Sequence, residues 1–87
     1  MNWQTLIDFE CTSPDRLAGR LRDLRTPDDV IERANAALSA HFQAAHLNAT
    51  PLHVTVLAAG ATVSTARNFF VVETGAVGRP QLELYLY

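Results

Sequence analysis

The final eight residues, Pro80-Gln81-Leu82-Glu83-Leu84-Tyr85-Leu86-Tyr87, alternate between apolar and polar side chains. A period of two is typical of a β-strand, because successive side chains point to opposite faces of a sheet. The three leucines belong to one face, which we expect to enter a core. The other face carries Tyr85 and Tyr87, so the stretch predicts an edge or interface strand with two exposed rings at a free chain end.

Two helices are predicted upstream of this strand. Ser13-Pro14 and Thr26-Pro27 each place a capping side chain before a proline, the order typical of helix starts. The apolar spacing that follows predicts helices over about residues 14–24 and 28–46. The stripe of the second helix consists of Val30, Ala34, Leu38, Phe42 and Ala45.

The rest of the chain is predicted to be β-structure. Residues 5–11 alternate as a strand does, although a helix capped by Asn2 also fits the first segment. Leu52–Leu57 alternates as well, and Asn68–Thr74 is so apolar that we predict a central strand with both faces covered. The prediction is an α+β domain over residues 1–87, with two helices on one face of a mostly antiparallel sheet in the order β-α-α-β-β-β.

The spacing of apolar residues also predicts which side chains form the core. Each predicted element has one apolar face, and we expect these faces to be mutually buried. The predicted core consists of Leu17, Leu21, Val30, Ala34, Leu38, Phe42, Val54, Val56, Phe70, Val72, Leu82 and Leu84.

Composition excludes several kinds of chemistry. The chain has no lysine, since all 7 basic residues are arginine. A Walker phosphate loop, Schiff-base catalysis and attachment of pyridoxal phosphate each need a lysine amine. The net charge of −2 provides no overall attraction to nucleic acid or to anionic lipid.

The metal-ligating residue types are too far apart in sequence for a known zinc motif. His41, His46 and His53 are separated by five and seven positions, and the single cysteine, Cys11, lies far upstream. We therefore predict no metal and no cofactor. One cysteine cannot form an internal disulfide, which fits a reducing compartment.

Charged residues suggest two alternative functions. Asp8, Glu10, Glu73 and Glu83 would form an acidic strand face if their strands were neighbours, as in a small ligand-binding or catalytic domain. Four arginines between residues 16 and 25 would suit a nucleic-acid binder. They are split between two sides of the first helix and interrupted by Asp15 and Asp23, so a solvated face or a set of salt bridges to a partner explains them better.

The sequence as a whole favours a non-catalytic protein–protein interaction module, a small subunit that docks into a larger assembly such as a phage head, neck or tail. A small inhibitor that covers a partner protein is a further alternative. We expect the protein in the cytoplasm or a virion, because the N-terminus has no signal-peptide pattern and no stretch is long enough to cross a membrane. Self-association through the C-terminal strand would also serve this role. The predicted partner-binding residues are Trp3, Tyr85, Tyr87, Arg16 and Arg20.

Overall fold

The order of elements along the chain confirms the α+β prediction. A computed structural model describes residues 2–60, 63–76 and 78–87. The first segment is a strand, two helices follow it, and three more strands complete the chain, as the spacing predicted. The elements are β1 (Trp3–Cys11), α1 (Pro14–Asp23), α2 (Asp28–Leu47), β2 (Leu52–Ala59), β3 (Phe69–Glu73) and β4 (Gln81–Leu86).

The four strands form one mixed sheet in the order β1-β2-β4-β3. The β1–β2 and β3–β4 pairs are antiparallel, whereas β2 and β4 run parallel. The chain leaves β2, forms β3 at the outer edge, and returns to place β4 between them. The sheet is thus mostly antiparallel, and its two edges are β1 and β3.

Two predictions about strand position were wrong. We predicted an unpaired edge or an exposed ring face for the C-terminal strand, and the unpaired edge is wrong, because β4 pairs with β2 on one side and β3 on the other. The 68–74 segment was predicted to be central, but β3 is an edge strand. Its apolar residues do occupy both faces, yet only one of those faces is covered.

The predicted core is correct except in β3. Phe70 and Val72 are 42% and 39% exposed, while their neighbours Phe69 and Val71 pack against the core. Four consecutive apolar residues show no alternation, so the sequence does not reveal which pair points inward. The register with β4 determines which pair points inward. Phe69 lies opposite Leu86, so it points to the same side of the sheet as the buried leucines of β4. The other ten predicted core residues are buried.

The helices begin where the prolines predicted, but without the expected side-chain caps. Ser13 is extended at the N-cap of α1, and its hydroxyl makes no capping hydrogen bond. The N-cap of α2 is Pro27, whose carbonyl accepts the N–H groups of Val30 and Ile31 at 3.0 Å each. Thr26 is instead buried, and its Oγ1 has no hydrogen-bond partner in the described part of the chain. The two bonds to the Pro27 carbonyl are the ordinary first bonds of a helix, and the capping bond predicted for the Thr26 hydroxyl is absent from the described part of the chain.

Candidate interaction site

Both helices pack on the same side of the sheet, so the other side has no helical cover. We call this side the open face. Residues of β2 and β4 alternate between the two sides, with Leu52, Val54 and Val56 buried against the helices. Strand register then assigns to the open face Trp3, Thr5, Asp8, Glu10, His53, Thr55, Leu57, Ala59, Phe70, Val72, Gln81, Glu83, Tyr85 and Tyr87.

An irregularity in β1 brings Trp3 to the open face. Thr5 pairs with Leu57 and Ile7 with Val56, so Leu6 is an extra residue between two consecutive partners on β2. Such a β-bulge changes which face the following side chains occupy. Without it, Trp3 would point to the same side as Phe9 and Cys11, which face the core. The bulge therefore places an aromatic ring and the carboxylate of Asp8 on one surface.

Four rings meet at one end of the open face, and we call them the aromatic cluster: Trp3, Phe70, Tyr85 and Tyr87. Phe70 lies directly opposite Tyr85 on the neighbouring strand, and their rings stack at 4.6 Å between centroids with 6° between planes. Trp3 meets Tyr85 edge-on at 4.9 Å, Phe70 at 5.6 Å and Tyr87 at 6.4 Å. The aromatic cluster thus joins three of the four strands through ring contacts.

A small residue on β2 allows this contact across the sheet. Trp3 lies on β1 and Tyr85 on β4, so the indole must cross β2, which lies between these strands. Ala59 is the residue opposite Trp3 on β2, and its methyl group leaves room above the strand. Leu57, one position along the same face, is only 8% exposed although no helix covers it. The rings therefore bury apolar surface without closing the face, since Tyr87 is 46% exposed.

Tyr85 connects the aromatic cluster to the polar part of the open face. Its hydroxyl donates a hydrogen bond to Glu83 Oε2 at 3.0 Å. Burial among the rings, together with the hydrogen bond and negative charge of Glu83, raises the pKa of the Tyr85 phenol above its ordinary value of 10.0. The neutral phenol is thus the form that the fold favours.

The raised pKa of Tyr85 predicts a loss of stability at alkaline pH. The unfolded chain releases the phenol proton first, so the free energy of unfolding is unaffected below about pH 10 and declines as pH rises toward the folded-state pKa. Urea unfolding of the wild type and of Tyr85→Phe between about pH 9 and 11 would measure this decline. We expect a smaller decline in the variant. Equal declines would contradict the contribution of Tyr85.

The other end of the open face is polar and hydrogen-bonded. His53 Nε2 contacts Asp8 Oδ1, and His53 Nδ1 lies 3.9 Å from Glu10 Oε1. Thr55 Oγ1 donates to the same Asp8 oxygen at 3.2 Å. Asp8 thus holds one imidazole nitrogen, while Glu10 lies beyond hydrogen-bond distance of the other. Within residues 2–60, 63–76 and 78–87, no group of three or more His, Cys, Asp or Glu side chains is arranged so that it could hold a metal ion.

Only part of the predicted acidic strand face forms. Asp8, Glu10 and Glu83 lie on the open face, with β2 between the first two and the third. Glu73 lies instead beside α2, where its Oε1 is 3.4 Å from His41 Nδ1. The carboxylates of β1 and β4 are thus separated by His53 and Thr55 rather than paired with each other.

The five predicted partner-binding residues lie on two surfaces. Trp3, Tyr85 and Tyr87 are together in the aromatic cluster, whereas Arg16 and Arg20 lie on α1, on the opposite side of the sheet. The guanidinium carbon of Arg20 is 5.2 Å from the centroid of the Phe9 ring, a cation–π contact. One rigid partner surface cannot contact all five residues of a single copy.

Sequence reasoning missed several residues of the open face. Phe70 and Val72 were assigned to the core, and Ala59 was assigned no role. The contact of His53 with Asp8 was also missed, because it depends on the register of β1 and β2. The cross-strand stack of Phe70 and Tyr85 could have been found only by testing both registers of the apolar β3 segment.

Comparisons with known proteins give no further guide to this face. The chain matches no protein-family model, no curated protein and no solved structure. Neither of the two helices in the described ranges is both long and apolar enough to span a membrane. The function must therefore be inferred from the surface itself.

Proposed function

We propose that the protein is a non-catalytic protein–protein interaction module, a small subunit that docks into a larger assembly through its open face. The observation that supports this proposal is the aromatic cluster on a sheet face without helical cover. One solvated face is ordinary in an antiparallel sheet, but that face is usually polar. Exposed aromatic and aliphatic side chains in a contiguous group are typical of a binding surface.

The arrangement of the rings supports a protein partner. Their mutual contacts hold the ring orientations, so little side-chain freedom is lost when a partner covers them. Tryptophan and tyrosine are also the residue types that contribute most to binding energy at interfaces. A virion head, neck or tail is one kind of assembly that such a subunit would join, in the cytoplasm or in the particle.

A small ligand-binding or catalytic domain is the second candidate, favoured by the contact of His53 with Asp8 and Glu10. This group has the residue types of an acid–base site. Asp8 holds one imidazole nitrogen of this group, however, and the Thr55 hydroxyl donates to the same Asp8 oxygen. The pairing of β1 with β2 is enough to bring His53 close to Asp8 and Glu10, so these contacts need no catalytic role. An arginine-mediated nucleic-acid binder is less favoured, because the chain is acidic and the open face bears carboxylates.

The proposed function predicts that Tyr85→Ala/Tyr87→Ala abolishes association. Size-exclusion chromatography with light scattering would measure the wild type alone and mixed with the products of genes encoded beside it. Loss of two interface rings should weaken association at least about thirtyfold. The matched control is Leu47→Ala, which removes an 84% exposed apolar side chain from the end of α2, away from the rings.

Two outcomes would contradict the proposed function. One is a folded wild type that neither self-associates nor binds any neighbouring gene product. The other is a folded double variant that retains full association. A partner enzyme that loses activity on binding would instead identify the module as an inhibitor, which uses the same face.

A further inference from the structure

The open face and α1 carry opposite charges on opposite sides of the molecule. The open face bears three carboxylates, while Arg79, just before β4, lines one cavity with Glu10 and His53 at the margin of this face. The exposed side of α1 and the turn after it hold four arginines against two aspartates. These are Arg16, Arg20, Arg22 and Arg25, with Asp15 and Asp23.

The arginines of α1 are not neutralised within the chain. Among the residues that the structure describes, only Arg33 forms an arginine–carboxylate ion pair, with Asp29 at 3.6 Å. The guanidinium groups of α1 therefore remain available to external carboxylates. Asp8 and Glu10 contact only a histidine and a threonine, and their side chains are 55% and 65% exposed. The arginines of α1 and the carboxylates of the open face could therefore form ion pairs between two copies.

The spacing of the charges matches as well. Arg16 and Arg20 lie one helical turn apart, a separation of about 6 Å along the helix. Asp8 and Glu10 lie two residues apart on one side of a strand, about 7 Å. Two arginines of one copy can therefore bind two carboxylates of another copy at the same time. The contact of Arg20 with Phe9 holds one guanidinium in place before binding.

Both charged sets lie at the same edge of the sheet. Arg20 covers Phe9 from the helical side, while Asp8 and Glu10 flank Phe9 along β1 on the open side. A second copy displaced along the normal of the sheet would bring its α1 over these carboxylates. The α2 helix of this second copy would then cover the rest of the first copy's open face, including the aromatic cluster. The exposed residues of α2 include apolar ones suited to aromatic contact: Ala36, Ala37, Ala40 and Ala44.

We infer that the open face of one copy binds the arginine-bearing helix of a second copy, head to tail. This inference rests on the proposed function and names the partner of the same face. The contact is heterologous, since different surfaces meet, so further copies add to either end and form a ring or a filament. A face-to-face dimer is disfavoured, because it brings the carboxylates of two open faces together.

Two neutralising variants test the arrangement. Asp8→Asn/Glu10→Gln removes charge from the open face and leaves α1 intact. Arg16→Gln/Arg20→Gln removes charge from α1 and leaves the open face intact. All four substituted side chains are exposed, and thermal melting by circular dichroism would establish that both variants fold. Light scattering with size exclusion is the readout, at low and at high salt.

We expect the wild type to grow beyond a dimer as concentration rises and to dissociate as salt is added. Each variant alone should associate about tenfold more weakly. An equimolar mixture should recover association but stop at two copies, about twice the chain mass of 9.6 kDa. One intact open face then meets one intact α1, and the two remaining surfaces are both neutralised.

Three results would overturn the inference. The first is a wild type that stays monomeric up to about 1 mM. The second is a strict dimer that Asp8→Asn/Glu10→Gln tightens, as expected for face-to-face packing. The third is a mixture that associates no better than its components. None of these results contradicts the proposed function, which fails only if the tyrosine variant keeps full association or if neither a copy nor a neighbouring gene product binds.

Discussion

Replacing Phe42 with alanine is expected to lower the free energy of unfolding by about 3–5 kcal/mol. Phe42 is the largest fully buried side chain, 1% exposed, on the face of α2 that packs against the sheet. The substitution removes the ring's burial and leaves a cavity that fixed strands on the other side cannot fill. A chain of 87 residues has a total stability of about 4–13 kcal/mol, so the substitution removes a large share of it.

The matched control for this prediction is Phe70→Ala, the same chemical change on the open face. Phe70 is 42% exposed and stacks on Tyr85, so its loss should cost roughly 1 kcal/mol. Urea unfolding followed by circular dichroism measures both values. Equal losses for the two phenylalanines would show that β3 faces the other way from the register described above.

The second large effect is expected from Gly75→Ala, in the connection between β3 and β4. A β-carbon at this position would lie 2.2 Å from the carbonyl oxygen of Arg79 and 2.4 Å from the backbone nitrogen of Gln81. Both contacts are with backbone, which cannot turn aside as a flexible side chain can. The loop or the start of β4 must shift, and we expect a loss of about 1–3 kcal/mol in the free energy of unfolding.

Gly19→Ala is the matched control, since the same methyl group is added where there is room. No atom lies within 4 Å of a β-carbon at Gly19, which is inside α1. Alanine in a helix interior is more favourable than glycine, so this variant should gain about 0.5–1 kcal/mol. Opposite signs for the two substitutions are the expected result in urea unfolding. A neutral Gly75→Ala would mean that the backbone at Arg79 does not approach so closely.

The helices were predictable because their signals are local. Prolines at their starts and apolar residues at helical spacing depend only on neighbours in sequence, and both helices lie within one residue of the predicted bounds. The burial of Leu17, Leu38 and Phe42 followed from the same spacing. Strand character was equally readable in β2 and β4, where apolar and polar residues alternate.

The order of the strands and the register of β3 were not predictable, because pairing depends on residues distant in sequence. The alternation of β4 predicts one uncovered face, but it does not distinguish an edge strand from an interface strand inside the sheet. An interior strand also shows alternating apolar and polar residues when one face of its sheet is uncovered. The bulge at Leu6 is also invisible in the sequence, since it exists only relative to β2. The aromatic cluster depends on the strand order, the register of β3 and the bulge at Leu6. The sequence could therefore suggest only which residue types take part in it.

The interior position of β4 also has a consequence for how the chain folds during its synthesis. Strand β1, both helices and β2 leave the ribosome first and can form one antiparallel pair beneath two helices. In the described sheet β3 pairs only with β4, so these two strands form a hairpin that must dock against the inner edge of β2. Contacts so distant in sequence form slowly, and until they form, the inner edge of β2 stays open to pairing with other chains. The nascent chain is therefore most prone to aggregation just before its central strand is added.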